Sequence, residues 1–126
     1  MNLPELRSDK LKPLLNESEL RAKLLLQLAK DLNSSGLNFS LTEEQANSYD
    51  SLLSELEQLI RPLFESNSQK LYGLLYRIDV SEREIAKAGM ELKDFSHSQI
   101  IAHAIIFREL KKVLIREHYD QTGSDD

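Results

Sequence analysis

The sequence predicts an all-α protein, an antiparallel bundle of four to five helices joined by short connections. Its 4 glycines and 3 prolines in 126 residues are too few for the many tight turns of an all-β fold. A capping residue followed three positions later by Glu or Gln indicates a helix start. This pattern precedes an apolar run with helical spacing at Asn16 with Glu19, Thr42 with Gln45, Ser81 with Glu84, and Ser96 with Gln99.

Length and composition predict one domain. Apolar residues make up 40% and charged residues 29% of the chain, which excludes wholesale disorder. We expect a single helical domain over residues 1–120 and a mobile acidic tail, QTGSDD, over 121–126. The absence of cysteine suits a reducing compartment, and no apolar run approaches the roughly 20 residues that cross a bilayer. Because the N-terminus also lacks the apolar core of a secretory signal, we predict a cytoplasmic protein with no membrane segment.

Leucine spacing predicts the first clear helix, from Glu17 to Leu32. Leucines recur there at four-residue intervals, which places them on one helical face: Leu20, Leu24, Leu28 and Leu32. The sequence NSSG at 33–36 ends this helix. A shorter helical piece is expected around Leu3 to Leu15, limited by Pro13.

The second half of the chain supplies the remaining helices. One begins after Thr42, and Pro62 within its apolar pattern predicts a kink or break near Leu59 to Arg61. The next spans about Ser68 to Ile78. A short helix from Ser81 to near Gly89 follows, and a long, largely buried C-terminal helix runs from Ser96 or His97 to about His118.

The segment IIAHAIIF, residues 100–107, places a histidine among seven apolar residues. At 100° per residue, His103 falls on the same stripe as Ile106 and Leu110, which faces the core. A buried neutral imidazole bonded inside the bundle is the main interpretation, with Tyr72 and Tyr76 as candidate partners. The alternative is a small-ligand pocket lined by the same three residues.

A second apolar flank on the last helix predicts self-association. This flank carries Ile100, Ile101, Ala104 and Ile105, so the first half of the helix is apolar nearly all round. Such a helix is either enclosed by its own bundle or covered by another subunit. We therefore expect a homodimer through these four residues.

The sequence lacks the motifs of the common enzyme classes. It contains neither GxGxxG nor GxxxxGK[ST] nor GxSxG, and there is no cysteine nucleophile. None of the three histidines has Glu three residues before it, and HExxH is absent, so a helical di-metal site is not indicated. We predict no catalytic residues, no metal and no cofactor.

Basic residues gather on one sector of the last helix, at Arg108, Lys111, Lys112 and Arg116. They form either an ordinary solvated face or a docking face for an acidic partner or RNA. Segment 81–116 also has the order of a helix-turn-helix, although the link between its helices is longer than that motif uses. The net charge of −5 disfavours nucleic acid.

These observations predict a small non-enzymatic helical module for protein–protein interaction or regulation that self-associates. Its protein partners cannot be named from the sequence. Two alternatives stay open: a nucleic-acid-binding regulator that uses residues 81–116, and a small-ligand-binding bundle with His103 in the pocket.

Overall fold

The computed structural model describes the backbone of residues 10–123 and the side chains of residues 10–119. Within these residues the protein is an all-helical bundle, as predicted. The helices are α1 (Leu11–Leu14), α2 (Ser18–Ser34), α3 (Tyr49–Ser66), α4 (Ser68–Ile78), α5 (Glu82–Glu91) and α6 (His97–Gly123). The helical piece expected from Leu3 begins outside the described residues and is represented by α1.

Helix α6 lies at the centre of the bundle. It packs against α2, α3, α4 and α5, most extensively against α3. Residues 101–106 are all buried, because their apolar side chains point in every direction around the helix and neighbours cover each side. The backbone remains helical to Gly123, so the first three residues of the predicted mobile tail continue the helix, and 124–126 lie outside the described residues.

Two of the four predicted helix starts form as expected. Ser81 accepts a hydrogen bond from the Glu84 backbone N–H at 3.1 Å and caps α5. Ser96 precedes α6 and makes both bonds of a capping box with Gln99, at 3.3 Å and 2.7 Å. These side chains satisfy N–H groups that have no partner inside the helix.

The other two predicted starts are wrong. The Thr42–Gln45 box forms, but it closes an isolated turn, and α3 begins only at Tyr49 with Ser48 as its cap. Asn16 does not cap α2, because Glu17 occupies the cap position without a side-chain bond. A polar residue with a suitable partner three positions later therefore identifies a turn, and the following apolar pattern decides whether a helix continues.

Pro62 lies inside α3 without ending it. The helix is continuous to Ser66, so a break at this proline is excluded. Pro62 is exposed and has no backbone N–H, so one carbonyl on the solvent side of the helix lacks its hydrogen-bond donor. Water can donate to that carbonyl instead. The chain leaves the helix at Asn67, whose side chain accepts from the Lys70 N–H at 3.3 Å and starts α4.

Helices α2 and α4 end in the same type of C-terminal motif. Gly36 (φ 86°) and Asp79 (φ 66°) adopt the left-handed conformation just after their helices. The next residue in each case, Leu37 or Val80, is buried and returns its N–H to the carbonyl five positions earlier, at 3.1 Å and 2.9 Å. This Schellman arrangement satisfies the last carbonyls and turns the chain back over the core.

Candidate functional site

His103 lies in the core near the middle of α6. It is 2% exposed, and its Nδ1 lies 2.7 Å from the hydroxyl of Tyr49, the first residue of α3. The ring centroids of Phe95 and Phe107 each lie 6.3 Å from the centroid of the imidazole ring. Burial lowers the pKa of His103 to about 4, so the ring is neutral near pH 7. Its surroundings are those of a packed core histidine.

The predicted partners of His103 are wrong. Tyr72 and Tyr76 are 64% and 88% exposed on the outer face of α4 and do not join the buried cluster. The inward face of α4 is occupied by leucine and isoleucine, which leaves the tyrosines on the opposite side. Tyr49 was missed because the helix start was placed at Thr42, although its spacing to Leu52 and Leu56 fits the inward stripe of α3.

The flank predicted for self-association is covered by the chain itself. Ile101, Ala104 and Ile105 are buried, and Ile100 is partly buried. At α5, a Cβ placed on Gly89 would lie 3.7 Å from Ile100 Cδ1, which shows how closely the two helices approach. The prediction that these residues form a subunit interface is therefore wrong, because an enclosed helix has no such face to offer.

The basic sector of α6 is largely paired within the bundle. Arg108 contacts Asp79 at 3.1 Å, and Arg116 donates to the amide oxygen of Gln27 at 2.7 Å. Lys112 is paired with the buried carboxyl group of Glu109 and the partly buried one of Asp31, whereas Lys111 is exposed. The four residues therefore do not form one free cationic surface. The burial of residues 101–106 also removes that part of segment 81–116 from any surface that could enter a DNA groove.

A carboxyl pair between α2 and α6, in which Glu109 is buried and Asp31 is partly buried, was not identified from the sequence. Glu109 is fully buried, and Lys112 Nζ lies 2.9 Å from its Oε2 and 3.0 Å from Asp31 Oδ2. The amide of Gln27 donates to the same Asp31 oxygen at 2.9 Å. Glu109 lies on the same side of α6 as the buried Ile106 and Val113. A charged residue on an apolar side of a helix was the sequence signal that could have identified this contact.

The two carboxyl groups differ in protonation. Burial raises the pKa of Glu109 to about 8, and the hydrogen bond with Asp31 adds to this effect. Burial also opposes the charge on Asp31, but bonds from Glu109, Gln27 and Lys112 outweigh it and lower the Asp31 pKa. A neutral Glu109 and an ionised Asp31 therefore both contact the Lys112 ammonium, which neutralises Asp31.

A second polar contact joins α3 to the start of α6. Glu57 is buried and accepts from Ser98 Oγ at 2.8 Å and from Arg61 Nε at 2.7 Å. The Arg61 bond lowers the pKa of Glu57 against the opposing effect of burial. Nearby, the rings of Phe64 and His97 are stacked with centroids 4.8 Å apart. These contacts fix α6 against α3.

Two shallow depressions lie beside α2 on the surface of the described residues. The larger, about 280 Å³, lies between α2 and α6 and is lined by Lys23, Leu26, Gln27, Lys30, Val113, Arg116 and Glu117. The smaller, about 210 Å³, is lined by Asp31, Ser34, Arg77 and Ile78. Neither contains His103, but Asp31 of the carboxyl pair lines the smaller depression, and Gln27, which bonds to it, lines the larger.

Within the described part of the chain, no group of three or more His, Cys, Asp or Glu side chains is arranged to hold a metal ion. None of the helices described is both long enough and apolar enough to span a bilayer. The buried polar side chains instead contact one another, as in Tyr49 with His103 and Glu57 with Ser98. Comparisons with protein-family models, with curated proteins and with solved structures gave no match to this chain.

Proposed function

We propose that this chain is a small non-enzymatic protein-interaction module that self-associates through the outer face of α4. That face consists of Gln69, Tyr72, Gly73 and Tyr76, which follow one another at helical spacing and are all exposed. It carries no charge in a chain where 29% of residues are charged. Two exposed tyrosines one turn apart are the observation that carries the proposal, because tyrosine is enriched in protein interfaces.

The non-enzymatic part of the proposal is supported by the burial of the titratable groups with shifted pKa values. His103 and Glu109 are enclosed between helices and pair with neighbouring side chains. A substrate has no access to either group without separation of the helices. Their contacts are those of structural polar groups in a core.

Gly73 separates the two tyrosines and has no internal role in the bundle. It has an ordinary helical φ, and a Cβ at this position would meet no atom within 4 Å. A glycine inside a helix costs about 1 kcal/mol relative to alanine, and neither packing nor backbone conformation requires it here. The missing side chain leaves a notch on the α4 face that permits close approach of another helix.

A second copy of the chain fits this face by symmetry. We consider two α4 helices that cross antiparallel, with Gly73 of each copy at the crossing point. The residue three positions after Gly73 in one copy then faces the residue three positions before Gly73 in the other. Tyr76 then lies beside the aliphatic stem of Lys70 of the other copy, whose ammonium donates to the Gly36 carbonyl of its own chain at 3.3 Å. Arg77 lies beside Gln69, so each cation meets an uncharged side chain and like charges do not oppose each other.

The size of the α4 face makes this dimer weak. A tyrosine buries about 150–250 Å² when fully covered, so these two contribute roughly 300 Å² per copy. A stable interface buries about 800 Å² per partner. We therefore expect association in the micromolar range or weaker, which would make the monomer–dimer balance depend on concentration.

Sedimentation velocity from 5 to 500 µM tests the proposal. We expect the mass of the unaltered chain to rise from monomer toward dimer, whereas the double variant Tyr72→Glu/Tyr76→Glu stays monomeric. Met90→Glu is the matched control, because Met90 is also a large apolar residue, 75% exposed, on another helix. Gly73→Gln should weaken association by filling the notch. A monomeric native chain at 500 µM, or a double variant that still dimerises, would refute the proposal.

A further inference from the structure

The groove between α2 and α6 combines an apolar floor with a basic rim. We define the α2–α6 groove by the residues that line the 280 Å³ depression. Leu26 is 73% exposed there, and Val113 closes the base. Lys23, Lys30 and Arg116 surround this floor. The groove therefore offers both apolar contact and positive charge, and it lies apart from the α4 face.

Leu26 is exposed because of its position on α2. The inward stripe of this helix uses Leu24, Leu25 and Leu28, which are buried, and Leu26 falls outside it. Lys30 lies one turn after Leu26 and therefore on the same face. A large apolar side chain and a cation thus stand side by side at the groove.

The rim is positive in an acidic protein. Three cations and one anion, Glu117, line the groove, whereas the whole chain carries a net charge of −5. Lys23 contacts Glu117 and so closes one end of the groove. Arg116 bonds to the neutral amide of Gln27, which holds its guanidinium in place without cancelling its charge. At the other end, Lys112 neutralises Asp31.

We infer that the α2–α6 groove binds an acidic amphipathic segment of a partner protein. Such a segment places a bulky apolar side chain on Leu26 and carboxylates beside Lys30 and Arg116. Charge complementarity selects the acidic partner, and the leucine selects a peptide over a nucleic acid, whose phosphates gain nothing from an apolar floor.

Fluorescence anisotropy with labelled 12-residue probes tests this inference. The first probe is a peptide with leucine at every third or fourth position and glutamate between. The second replaces each glutamate with lysine, and the third is a single-stranded DNA 12-mer. We expect micromolar binding of the acidic peptide at 50 mM NaCl, severalfold weaker binding at 300 mM, and no saturable binding of the other two.

Matched surface variants locate the binding site. We expect Leu26→Ser and Lys30→Glu each to weaken binding of the acidic peptide by about fivefold or more. Met90→Ser and Lys87→Glu change the same residue types at exposed positions on α5, with the same change in net charge, and should bind as the native chain does. Because all four positions are exposed, the fold should tolerate each change.

Three results would overturn the inference: no binding of the acidic peptide at 500 µM, equal binding of the DNA or the basic peptide, or equal losses in the control variants. The Tyr72→Glu/Tyr76→Glu variant should retain peptide binding, because the α4 face lies elsewhere. A failure of self-association therefore leaves this inference intact, and a failure of peptide binding leaves the proposed dimer intact.

Discussion

The hydroxyl of Tyr49 and the Nδ1 atom of His103 lie 2.7 Å apart and join the first turn of α3 to the middle of α6. Both residues are buried, and their rings meet edge to face with centroids 5.8 Å apart. Burial raises the pKa of Tyr49 and lowers that of His103, so both groups are neutral across the physiological range. The bond is therefore a neutral one in a region without solvent.

Removal of the Tyr49 hydroxyl should destabilise the protein. In Tyr49→Phe the packing is retained, but the buried Nδ1 of His103 loses its partner, which costs about 1–3 kcal/mol. Urea denaturation at pH 7 measures this loss. Tyr72→Phe is the matched control and should change the free energy of unfolding by less than about 0.5 kcal/mol, since Tyr72 is exposed. Equal effects of the two substitutions would contradict the assigned partner.

Glu109 should make stability fall as pH rises. Its pKa is about 8 in the folded protein against 4.5 ordinarily. Between these values the unfolded chain has released a proton that the folded chain retains, so the free energy of unfolding decreases with pH over this window. Glu109→Gln keeps the shape without the titration, and we expect it to gain roughly 2 kcal/mol or more relative to the native chain between pH 5 and 8.

His103 should make the free energy of unfolding rise with pH, opposite to the effect of Glu109, and it serves as the internal control. Its pKa is about 4 in the folded protein against 6.5 ordinarily, so stability decreases as pH falls from 6.5 to 4. Glu109 and His103 therefore offset each other between pH 4.5 and 6.5, and only the Glu109 effect remains above pH 6.5. Denaturation profiles in which Glu109→Gln and the native chain stay parallel above pH 6.5 would exclude a protonated Glu109.

Two glycines should respond in opposite ways to alanine. Gly36 has a φ of 86°, which an alanine adopts only under strain, so Gly36→Ala should lower the free energy of unfolding by about 1 kcal/mol or more. Gly73 is helical with open space around it, so Gly73→Ala should raise the free energy by about 0.5–1 kcal/mol. Thermal unfolding measures both changes in stability. Dilute protein is used so that self-association through the α4 face does not contribute. A loss of stability in Gly73→Ala would indicate an internal role for that glycine.

Asp79 should tolerate glycine better than alanine. It has a left-handed φ of 66° at the end of α4, a conformation that alanine resists and that Asp, Asn and Gly accept. We expect Asp79→Ala to be about 1 kcal/mol less stable than Asp79→Gly in urea denaturation. Both variants lose the exposed contact with Arg108, so that contact does not affect the comparison.

The helical bundle could be predicted because apolar spacing and caps are local properties of the chain. The range Ser68–Ile78 matches α4, since a leucine stripe lies within it and the cap Asn67 and the left-handed Asp79 adjoin its two ends. The buried position of His103 also followed from its place on the α6 stripe. The bounds of a helix and the burial of its residues can be predicted from the sequence, because both depend on the pattern of polar and apolar residues within that helix.

The contacts between helices could not be predicted in the same way. Tyr49 lies 54 positions before His103, and only the packing of α3 on α6 brings them together. The same holds for Asp31 and Lys112, which are 81 positions apart. The second apolar flank of α6 was assigned to another subunit because the sequence does not indicate that α3 and α5 both cover it.

Three polar contacts follow one another along α2 at intervals of one turn: Lys23 with Glu117, Gln27 with Arg116, and Asp31 with Lys112. A slip of α6 along α2 by one turn, about 5.4 Å, would break these polar contacts and would bring a glutamate to the place of Val113. Such a slip would separate Lys23 from Glu117 and leave Glu109 opposite a different part of α2. The order of these pairs therefore selects a single axial register for the two helices.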